Sequence, residues 1–415
     1  MTTPDRESDL CWGQRYVWLN HHHLPAPARH EFNLTNSFEP QPGATVETLR
    51  QTIDLMVRRH ESLRTTYHRA TPTGPVPGPV QRVHPPAPVE LTCFDAADPA
   101  SVAAMRAFVT EPFRLEEQLP FRAGVSCRDG VPTLLTIVGH HASMDDWSIE
   151  ALKRESAEIH AAIVAGRAIT LAPVRQQPVD LARRESAPDA QAANRRALGI
   201  WARELARVPA DLFGPRRDPA AADGTPFSVS LSSPAALVAA RTLAAGHRVW
   251  PSSVYLATLT ALLAGYTGSG SVPLLVYQGN RDSAVHAGTL TCLFLPVLVH
   301  VDCQGDPSFT DLVRRTDERA REAADNSYFA YDQAVEITAR QAAARGMGLR
   351  LGTVVNQLRY PYLVRGGQRT IVTRNQRPDS WSLLPEDVYL RLSEWKDCLV
   401  LTLNARPEVI SPADG

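Results

Sequence analysis

Hydrophobic residues recur at helical spacing early in the chain. Within residues 46–60, Leu49, Ile53 and Met56 share one face while charged residues occupy the others, which predicts an amphipathic helix packed on a core. Residues 71–88 are crowded with proline and glycine, and this composition predicts an exposed loop or a hairpin.

Two predicted strands lead directly into a pair of histidines. Residues 121–128 and 133–139 have strand-like patterns, and Asp129-Gly130 between them is typical of a tight hairpin turn. The second strand continues without a break into His140 and His141. The histidines are therefore expected at the end of a strand.

After a short loop the hydrophobic period changes from that of a strand to that of a helix. Leu152 and Ile159 mark this helix, and Gly166 can end it. Asp145 or Asp146 lies near its N-terminus, where a carboxylate is favoured. The pattern predicts a strand–loop–helix junction that presents the two histidines.

The second half of the chain repeats the alternation of helices and strands. Residues 168–222 are rich in proline, alanine and arginine, with one helix expected around Trp201. Further helices are predicted at residues 254–264 and 307–324, strands at 272–278 and 292–301, and a hairpin at 389–393 and 399–403. This order indicates two α/β lobes with mixed sheets, residues 1–178 and 179–415, with the boundary near Val179.

Charge and composition exclude several kinds of partner. The 415 residues include 43 basic and 44 acidic side chains, a formal net charge of −1. This balance predicts neither a nucleic-acid nor an anionic membrane partner. The N-terminus carries charges where a signal peptide needs an apolar core, and no uncharged apolar run is long enough to span a bilayer. We therefore expect a folded cytoplasmic protein.

Neither the cysteines nor the adjacent histidines predict a metal site. The six cysteines are far apart with no pair at metal-ligand spacing, so we expect buried, reduced thiols. His21, His22 and His23 are consecutive, and three consecutive residues of a regular element cannot all face one ion. No metal ion is therefore expected.

The segment His140-His141-Ala142-Ser143-Met144-Asp145 offers the clearest candidate chemistry. A histidine at the end of a buried strand can act as a general base, with a nearby carboxylate holding the loop or the ring in place. The same two histidines can instead be structural, and the residues alone leave both interpretations open. Ser143 lacks the Gly-x-Ser-x-Gly turn of a serine hydrolase, so that activity is not expected.

Five short motifs follow one another in a definite order. Residues 140–145 form His-His-x-x-x-Asp and continue into Trp147 and Ser148, while residues 59–65 read Arg-His-Glu-Ser-Leu-Arg-Thr. The others are Gln14-Arg15-Tyr16-Val17-Trp18-Leu19, Gly279-Asn280-Arg281 and Tyr331-Asp332-Gln333. Over nearly the whole chain, this series resembles the condensation domains of nonribosomal peptide synthetases. These domains belong to the superfamily that includes chloramphenicol acetyltransferase.

The resemblance implies both a fold and an activity. The fold would be two chloramphenicol acetyltransferase-like lobes in a V-shaped pseudo-dimer with a central tunnel, either free-standing or excised from a synthetase. The activity would transfer an acyl or aminoacyl thioester from the phosphopantetheine arm of a carrier protein to an amine or hydroxyl acceptor, forming an amide or an ester. No bound cofactor is implied. The implied partners are an acyl or peptidyl carrier protein and a small amine or alcohol.

The resemblance also implies roles for individual residues. His141 and His140 would be the catalytic pair, with His141 as the base or as the group that orients the acceptor, and His140 as support for the loop. Asp145 would be structural and paired with an arginine, for which Arg281, Arg59 and Arg64 are the candidates. The residues expected along the substrate tunnel are Asp146, Trp147, Ser148, Gly279 and Asn280.

Two positions depart from the family pattern. Asp146 stands where the family has a glycine, and Phe294-Leu295-Pro296-Val297 stands where it has Phe-Val-Asn-Thr-Leu-Pro. Asp146 is interpreted either as tuning acceptor recognition or as the N-cap of the following helix. Trp147 either packs in a core, as we expect for Trp12, Trp18 and Trp201, or lines the tunnel.

Three functions of different classes follow from these observations. The first is a condensing acyltransferase, favoured by His141, Asp145 and the arginine motifs. The second is a non-catalytic module that recruits another protein to a carrier-bound peptide, favoured by Asp146. The third is an acyltransferase that uses a coenzyme A donor.

Overall fold

The computed structural model describes residues 6–69, 78–222, 224–281, 286, 288–364, 369–376 and 383–411. Helices and strands alternate along these residues, which confirms the α/β class. They form two compact units, one of Met1–Ala192 with Asn280–Phe294, the other of Ala193–Gly279 with Leu295–Gly415. The lobe boundary near Val179, the V-shaped arrangement and the tunnel stay predictions.

The first unit contains five helices and two sheets among its described residues. The helices are α1 (Trp12–His23), α2 (Val46–Arg59), α3 (Pro99–Thr110), α4 (Asp146–Val164) and α5 (Pro178–Glu185). The strands are β1 (Arg6–Asp9), β2 (Asn33–Phe38), β3 (Thr65–His68), β4 (Val80–Val83), β5 (Leu91–Asp95), β6 (Phe121–Arg128) and β7 (Val131–His140). One sheet has the order β2-β7-β6-β5, and the other has the order β1-β4-β3.

The predicted hairpin forms between β6 and β7. Asp129 and Gly130 have φ angles of 51° and 76°, the left-handed pair that a two-residue hairpin turn requires. Within the proline-rich stretch, Val80–Val83 pairs with β3, so the hairpin alternative is correct there. Residues 70–77 of that stretch lie outside the described residues.

Helix α2 packs on the core through the predicted face. Leu49, Ile53 and Met56 are all buried and share one hydrophobic cluster with Leu152 and Ile159 of α4. Burial of each such side chain contributes about 1.5–3 kcal/mol. Both helices are therefore held against the four-stranded sheet that carries the two histidines.

The second unit is built on one mixed sheet. Its helices are α6 (Pro188–Leu205), which begins in the first unit, α7 (Pro234–His247), α8 (Pro251–Thr267), α9 (Phe309–Asp325) and α10 (Tyr331–Arg345). Its strands are β8 (Phe227–Ser233), β9 (Ser271–Gln278), β10 (Leu295–Asp302), β11 (Thr353–Arg359), β12 (Ile371–Arg374), β13 (Val388–Glu394) and β14 (Leu399–Ala405). The sheet order is β10-β9-β11-β13-β14-β8-β12, with β11 parallel to its neighbours β9 and β13.

One predicted strand begins later than expected. The hydrophobic run from Cys292 predicted a strand there, but β10 starts at Leu295. Cys292 and Leu293 are fully buried and belong to the first unit. They are hydrophobic because they fill a core, and periodicity cannot separate that use from a buried strand.

None of the described helices combines the length and the apolar composition that a bilayer crossing requires.

Candidate functional site

The loop between β7 and α4 places His141 at its first residue. The His141 N–H donates to the Phe32 carbonyl at 2.9 Å, which continues the pairing of β7 with β2. Behind the loop, Met144 is fully buried, and a Cβ added to Gly139 would lie 2.2 Å from its terminal methyl. A larger residue at position 139 would therefore have to displace the end of the buried Met144 side chain.

His140 is a buried support for the loop. Its Nδ1 accepts the Ala142 N–H at 3.1 Å, so in the neutral ring the proton lies on Nε2. That Nε2 is 3.0 Å from Nδ1 of His21 and donates to it. Burial lowers the pKa of His140 well below its usual value, and burial lowers that of His21 to about 3. Both rings are therefore neutral near pH 7.

Tyr67 holds the same loop residue from the other direction. Its buried phenol donates to the Ala142 carbonyl at 3.1 Å, while the Ala142 N–H is bound by His140. Both polar backbone groups that follow His141 are thus satisfied. We did not anticipate Tyr67 or His21 from the sequence; the nearest signal for Tyr67 is its position two residues after the motif Arg59–Thr65.

His141 has a neutral imidazole beside an aromatic ring. Its ring meets the edge of Phe294, with centroids 5.1 Å apart and planes inclined by 69°. Burial lowers the pKa of His141, and the negative charges of Asp146 and Asp145 act in the opposite direction. Because the net shift is downward, the imidazole is unprotonated near pH 7 and can accept a proton.

Asp145 joins the site to a distant segment of the chain. Its carboxylate accepts hydrogen bonds of 2.8 and 2.7 Å from Arg281 Nη2, and the two side chains are only 7% and 6% exposed. It also caps α4 by accepting the Ser148 N–H at 2.8 Å, and it accepts the Leu293 N–H at 3.2 Å. A buried charge is thus paired and hydrogen-bonded, which is the condition for its stability.

The segment Asn280–Phe294 packs into the first unit around this ion pair. Arg281 also donates to the Thr291 carbonyl at 2.8 Å, and the Asn280 amide donates to the Leu293 carbonyl at 2.8 Å. Its backbone passes so close to α1 that a Cβ on Gly13 would lie 2.1 Å from the Cys292 carbonyl oxygen.

The three residues that follow Asp145 have different environments. Asp146 is exposed at the first position of α4, and Trp147 is 53% exposed. Ser148 is buried and donates its hydroxyl to Asp145 at 2.8 Å. The N-cap interpretation of Asp146 is wrong because Asp145 is the cap. Because Trp147 is exposed, the interpretation that it packs in a core is also wrong.

The other three tryptophans discussed above are buried as expected, namely Trp12, Trp18 and Trp201.

Of the three candidate arginines, Arg281 binds Asp145. Arg59 instead pairs with Glu155 at 3.0 Å and donates to the Ala172 carbonyl, while Arg64 donates to the His84 carbonyl. The motif that contains Arg59 therefore ties α2 to α4, with Glu155 on the latter helix. Gly279 follows the last residue of β9 in the second unit. The next residue, Asn280, begins the segment Asn280–Phe294 that belongs to the first unit.

The consecutive histidines of α1 point to different surroundings. His21 is buried against His140, and His23 is exposed. The His22 ring lies beside Trp18, with centroids 4.0 Å apart and planes inclined by 43°. Within the part of the chain that the structure describes, three or more potential metal ligands nowhere form a cluster. The six cysteines are all free. Cys11, Cys292 and Cys398 are buried as expected, whereas the expectation of burial is wrong for the half-buried Cys127 and Cys303 and for the exposed Cys93.

Comparisons with known proteins agree with the motif series. The model of the family described as "Condensation domain" matches residues 12–357. Chondramide synthase of Chondromyces crocatus is 28% identical over 300 residues, which are 69% of this chain and 8% of that protein. This chain therefore spans less than a tenth of that relative's length.

Solved structures show the same fold. A condensation domain that mediates chain release from the enacyloxin polyketide synthase aligns with a TM-score of 0.74 and 19% identity, covering 99% of this chain and 81% of that one. The X-domain from teicoplanin biosynthesis, solved in complex with OxyB, aligns with a TM-score of 0.74 and 20% identity, covering 100% and 91%. The match of the family model over residues 12–357 confirms the resemblance stated from the motifs, and the solved structures confirm its fold.

Proposed function

This chain belongs to the condensation-domain family, and from that premise we propose that it transfers an acyl or aminoacyl group from a carrier protein to an acceptor. The donor would be a thioester on the phosphopantetheine arm, and the acceptor a small amine or alcohol, so that the product is an amide or an ester. The observation that carries the proposal is His141, a neutral imidazole at the start of a loop whose backbone is held by His140 and Tyr67.

The proposed reaction requires one proton to move. The acceptor nitrogen or oxygen attacks the thioester carbonyl carbon; the new C–N or C–O bond forms and the C–S bond breaks. The acceptor loses a proton and the departing sulfur gains one. His141 accepts the first and returns it to the second. The thioester is already activated, so the transfer consumes no nucleotide.

The neighbouring residues act on His141 through position and charge. His140 fixes the loop, and Asp145 with Arg281 fixes the junction with α4, so all three are positioning residues. Ser148 and Asn280 form hydrogen bonds inside the first unit. We propose that these bonds hold the wall of the substrate path in place. Gly279 belongs to the second unit, and its place along the substrate path stays a prediction from the sequence.

Asp146 and Trp147 are the residues through which the acceptor would be selected. Asp146 is exposed, and its charge raises the pKa of His141 against the effect of burial. An exposed carboxylate next to an exposed indole attracts a basic amine in its cationic form, because both groups attract positive charge; this amine first loses its extra proton to water, and the neutral amine then attacks. We therefore propose a basic amine as the acceptor.

Replacement of His141 by alanine tests the proposal. The wild-type chain should release acyl groups from an acyl-carrier protein when an amine is added, measured by intact mass. His141→Ala should lower this rate by about 10²–10⁴-fold, the usual contribution of a general base. The matched control is His23→Ala, which removes an exposed histidine and should leave the rate unchanged. A folded His141→Ala variant that retains wild-type turnover would refute the assignment.

A non-catalytic recruiting function is the second candidate. It is favoured by the exposed pair Asp146 and Trp147, which could contact a partner protein instead of an acceptor. The structurally similar X-domain was solved in a complex with OxyB. Tight carrier binding with no acyl loss across a panel of amines and alcohols would favour recruitment over transfer.

The identity of the acyl donor distinguishes the third function, a coenzyme A-dependent acyltransferase, from carrier-dependent transfer. The same assay with a small coenzyme A thioester should give much slower turnover if a carrier protein is the partner. Equal turnover of both donors would favour a coenzyme A-dependent acyltransferase. The cytoplasmic location predicted from the sequence stays a prediction.

A further inference from the structure

A cavity in the first unit lies apart from the loop of His141. It has a volume of about 380 Å³ and lies between the end of β2 and the helices α2 and α4. Phe38, Leu49 and Leu135 supply an apolar wall, and Lys153, His160 and Glu39 supply polar groups. Pockets for small molecules combine these features, an apolar wall with a few polar groups that fix orientation.

The cavity has one cation and one anion that are not paired. Neither half-buried Lys153 nor exposed Glu39 forms an ion pair, with each other or elsewhere, among the residues that the structure describes. Lys153 is one of only two lysines among 43 basic residues. A compact ammonium therefore stands at an apolar wall in a chain that otherwise uses arginine almost everywhere.

His160 adds a buried acceptor to the wall. Its Nε2 is 3.0 Å from the Thr48 hydroxyl, which itself donates to the Thr45 carbonyl at 3.0 Å. The one Thr48 proton can serve only one of these two contacts; we assign it to the Thr45 carbonyl, and with this assignment His160 Nε2 carries the hydrogen and Nδ1 has the free lone pair. That Nδ1 is buried and has no hydrogen-bond partner in the described part of the chain, although the residue is only 2% exposed.

We propose that this cavity binds a small zwitterion with an apolar body, of the hydrophobic α-amino acid class. The carboxylate pairs with Lys153, the ammonium faces Glu39 and offers a hydrogen to His160, and the side chain packs on the wall that contains Phe38. Lys153 is half-buried and Glu39 is exposed, so water solvates both charges in the empty cavity; a ligand with only one charge would contact only one of the two groups. The site is separate from the proposed transfer reaction and does not depend on it.

Calorimetric titration of the whole chain with L-phenylalanine tests the proposal. A ligand of this size should bind with a Kd of about 1 mM. Lys153→Met should weaken binding by about tenfold or more, because a charge-assisted contact is lost while the side-chain length is kept. The control is Arg154→Met, which removes an exposed charge from the next position of α4 and should leave the Kd unchanged.

Two analogues test the two ends of the ligand. N-acetyl-L-phenylalanine lacks the ammonium and phenethylamine lacks the carboxylate, and each should bind at least about tenfold more weakly than phenylalanine. The proposal is overturned if phenylalanine and leucine give no binding at about 10 mM. It is also overturned if Lys153→Met binds as well as wild type, or if either analogue binds as well as the amino acid. A thermal melt of each variant shows that it is folded.

Discussion

Each unit contains a buried aspartate bound by arginine, and the two clusters are built differently. Asp145 in the first unit is bound by Arg281, whose side chain is 6% exposed. Asp387 in the second unit is 1% exposed and is bound by both Arg217 and Arg350, whose side chains are 19% and 43% exposed. Both carboxylates are paired. Asp145, however, depends on one buried arginine, whereas Asp387 depends on two partly exposed arginines.

The difference concerns what remains after one partner is lost. Without Asp387, Arg217 keeps ion pairs with Asp211 at 2.8 Å and Glu408 at 2.5 Å, and Arg350 can reach water. Without Asp145, the partners that Arg281 keeps among the described residues are neutral hydrogen-bonding groups such as the Thr291 carbonyl. The second cluster is therefore redundant, whereas the first concentrates its stability in one pair that lies next to His141.

This contrast is consistent with different uses of the two clusters. Asp145 caps α4, binds the backbone of Leu293 and lies four residues after His141, so its geometry is transmitted to the proposed active site. Asp387 precedes β13 and binds Arg217 and Arg350 from two other segments of the second unit. Burial raises the pKa of Asp387, but the hydrogen bonds from Arg350 and Arg217 outweigh this effect. The net pKa of Asp387 is therefore lower than its usual value.

The largest expected effect is that of Asp145→Ala. Removing the carboxylate strands the buried Arg281 charge, and we expect a loss of about 3–5 kcal/mol in the free energy of unfolding. Urea unfolding measures it. Acyl transfer should also fall in any folded fraction, because the junction that follows His141 is released. An Asp145→Ala protein that melts normally would show that the pair is not the main support of this junction.

Asp387→Ala should cost less, although its carboxylate is just as buried. We expect about 1–3 kcal/mol, because both arginines keep access to water or to other carboxylates. The measurement is the same urea unfolding, and the rate of acyl transfer per folded molecule should not change. If this variant loses as much stability as Asp145→Ala, arginine exposure does not explain the contrast.

The pH dependence of Asp387 adds a check on the second cluster. Its folded pKa lies below the unfolded value of 3.8, so its stabilisation is present above pH 3.8 and is lost as the pH falls through the folded pKa. The difference in stability between wild type and Asp387→Ala should therefore shrink only in that acidic window. A difference that already vanishes near pH 6 would contradict the role of the charge.

The smallest expected effect concerns the exposed carboxylate Asp146, which belongs to neither cluster. Because burial lowers the pKa of His141, transfer should be fast above pH 6.5 and decline as the pH falls through the lowered value. Asp146 raises that pKa, so Asp146→Asn should move the decline to lower pH, by less than about one unit. Rate profiles from pH 5 to 8 measure the shift, at nearly unchanged melting temperature.

Asp146→Gly separates the charge of Asp146 from its size. If the charge is what acts, the glycine and asparagine variants should shift the profile equally, and both should lose preference for a basic amine. If only glycine accelerates transfer, the bulk of Asp146 restricts the acceptor. Unchanged profiles and acceptor preference in both variants would remove Asp146 from the proposed acceptor site.

Local pattern was sufficient for about half of the described helices and strands. The helical spacing of Leu49, Ile53 and Met56 correctly predicted α2, and Asp129-Gly130 correctly predicted the turn between β6 and β7. Such features depend on residues within one or two turns of each other, so the chain encodes them locally. The family was predicted from the resemblance of the five motifs, each of which is also a short local segment.

The partners of each buried polar group depended on tertiary structure. The segment 140–145 marked His141 as the candidate base, but three arginines were equal candidates for Asp145, and only the fold brings Arg281 to it across 136 residues. His21, 119 residues from His140, and Tyr67, 75 residues from Ala142, were not anticipated. A hydrogen bond is made by whichever group the packed chain brings within about 3 Å, and spacing along the sequence contains no such distance.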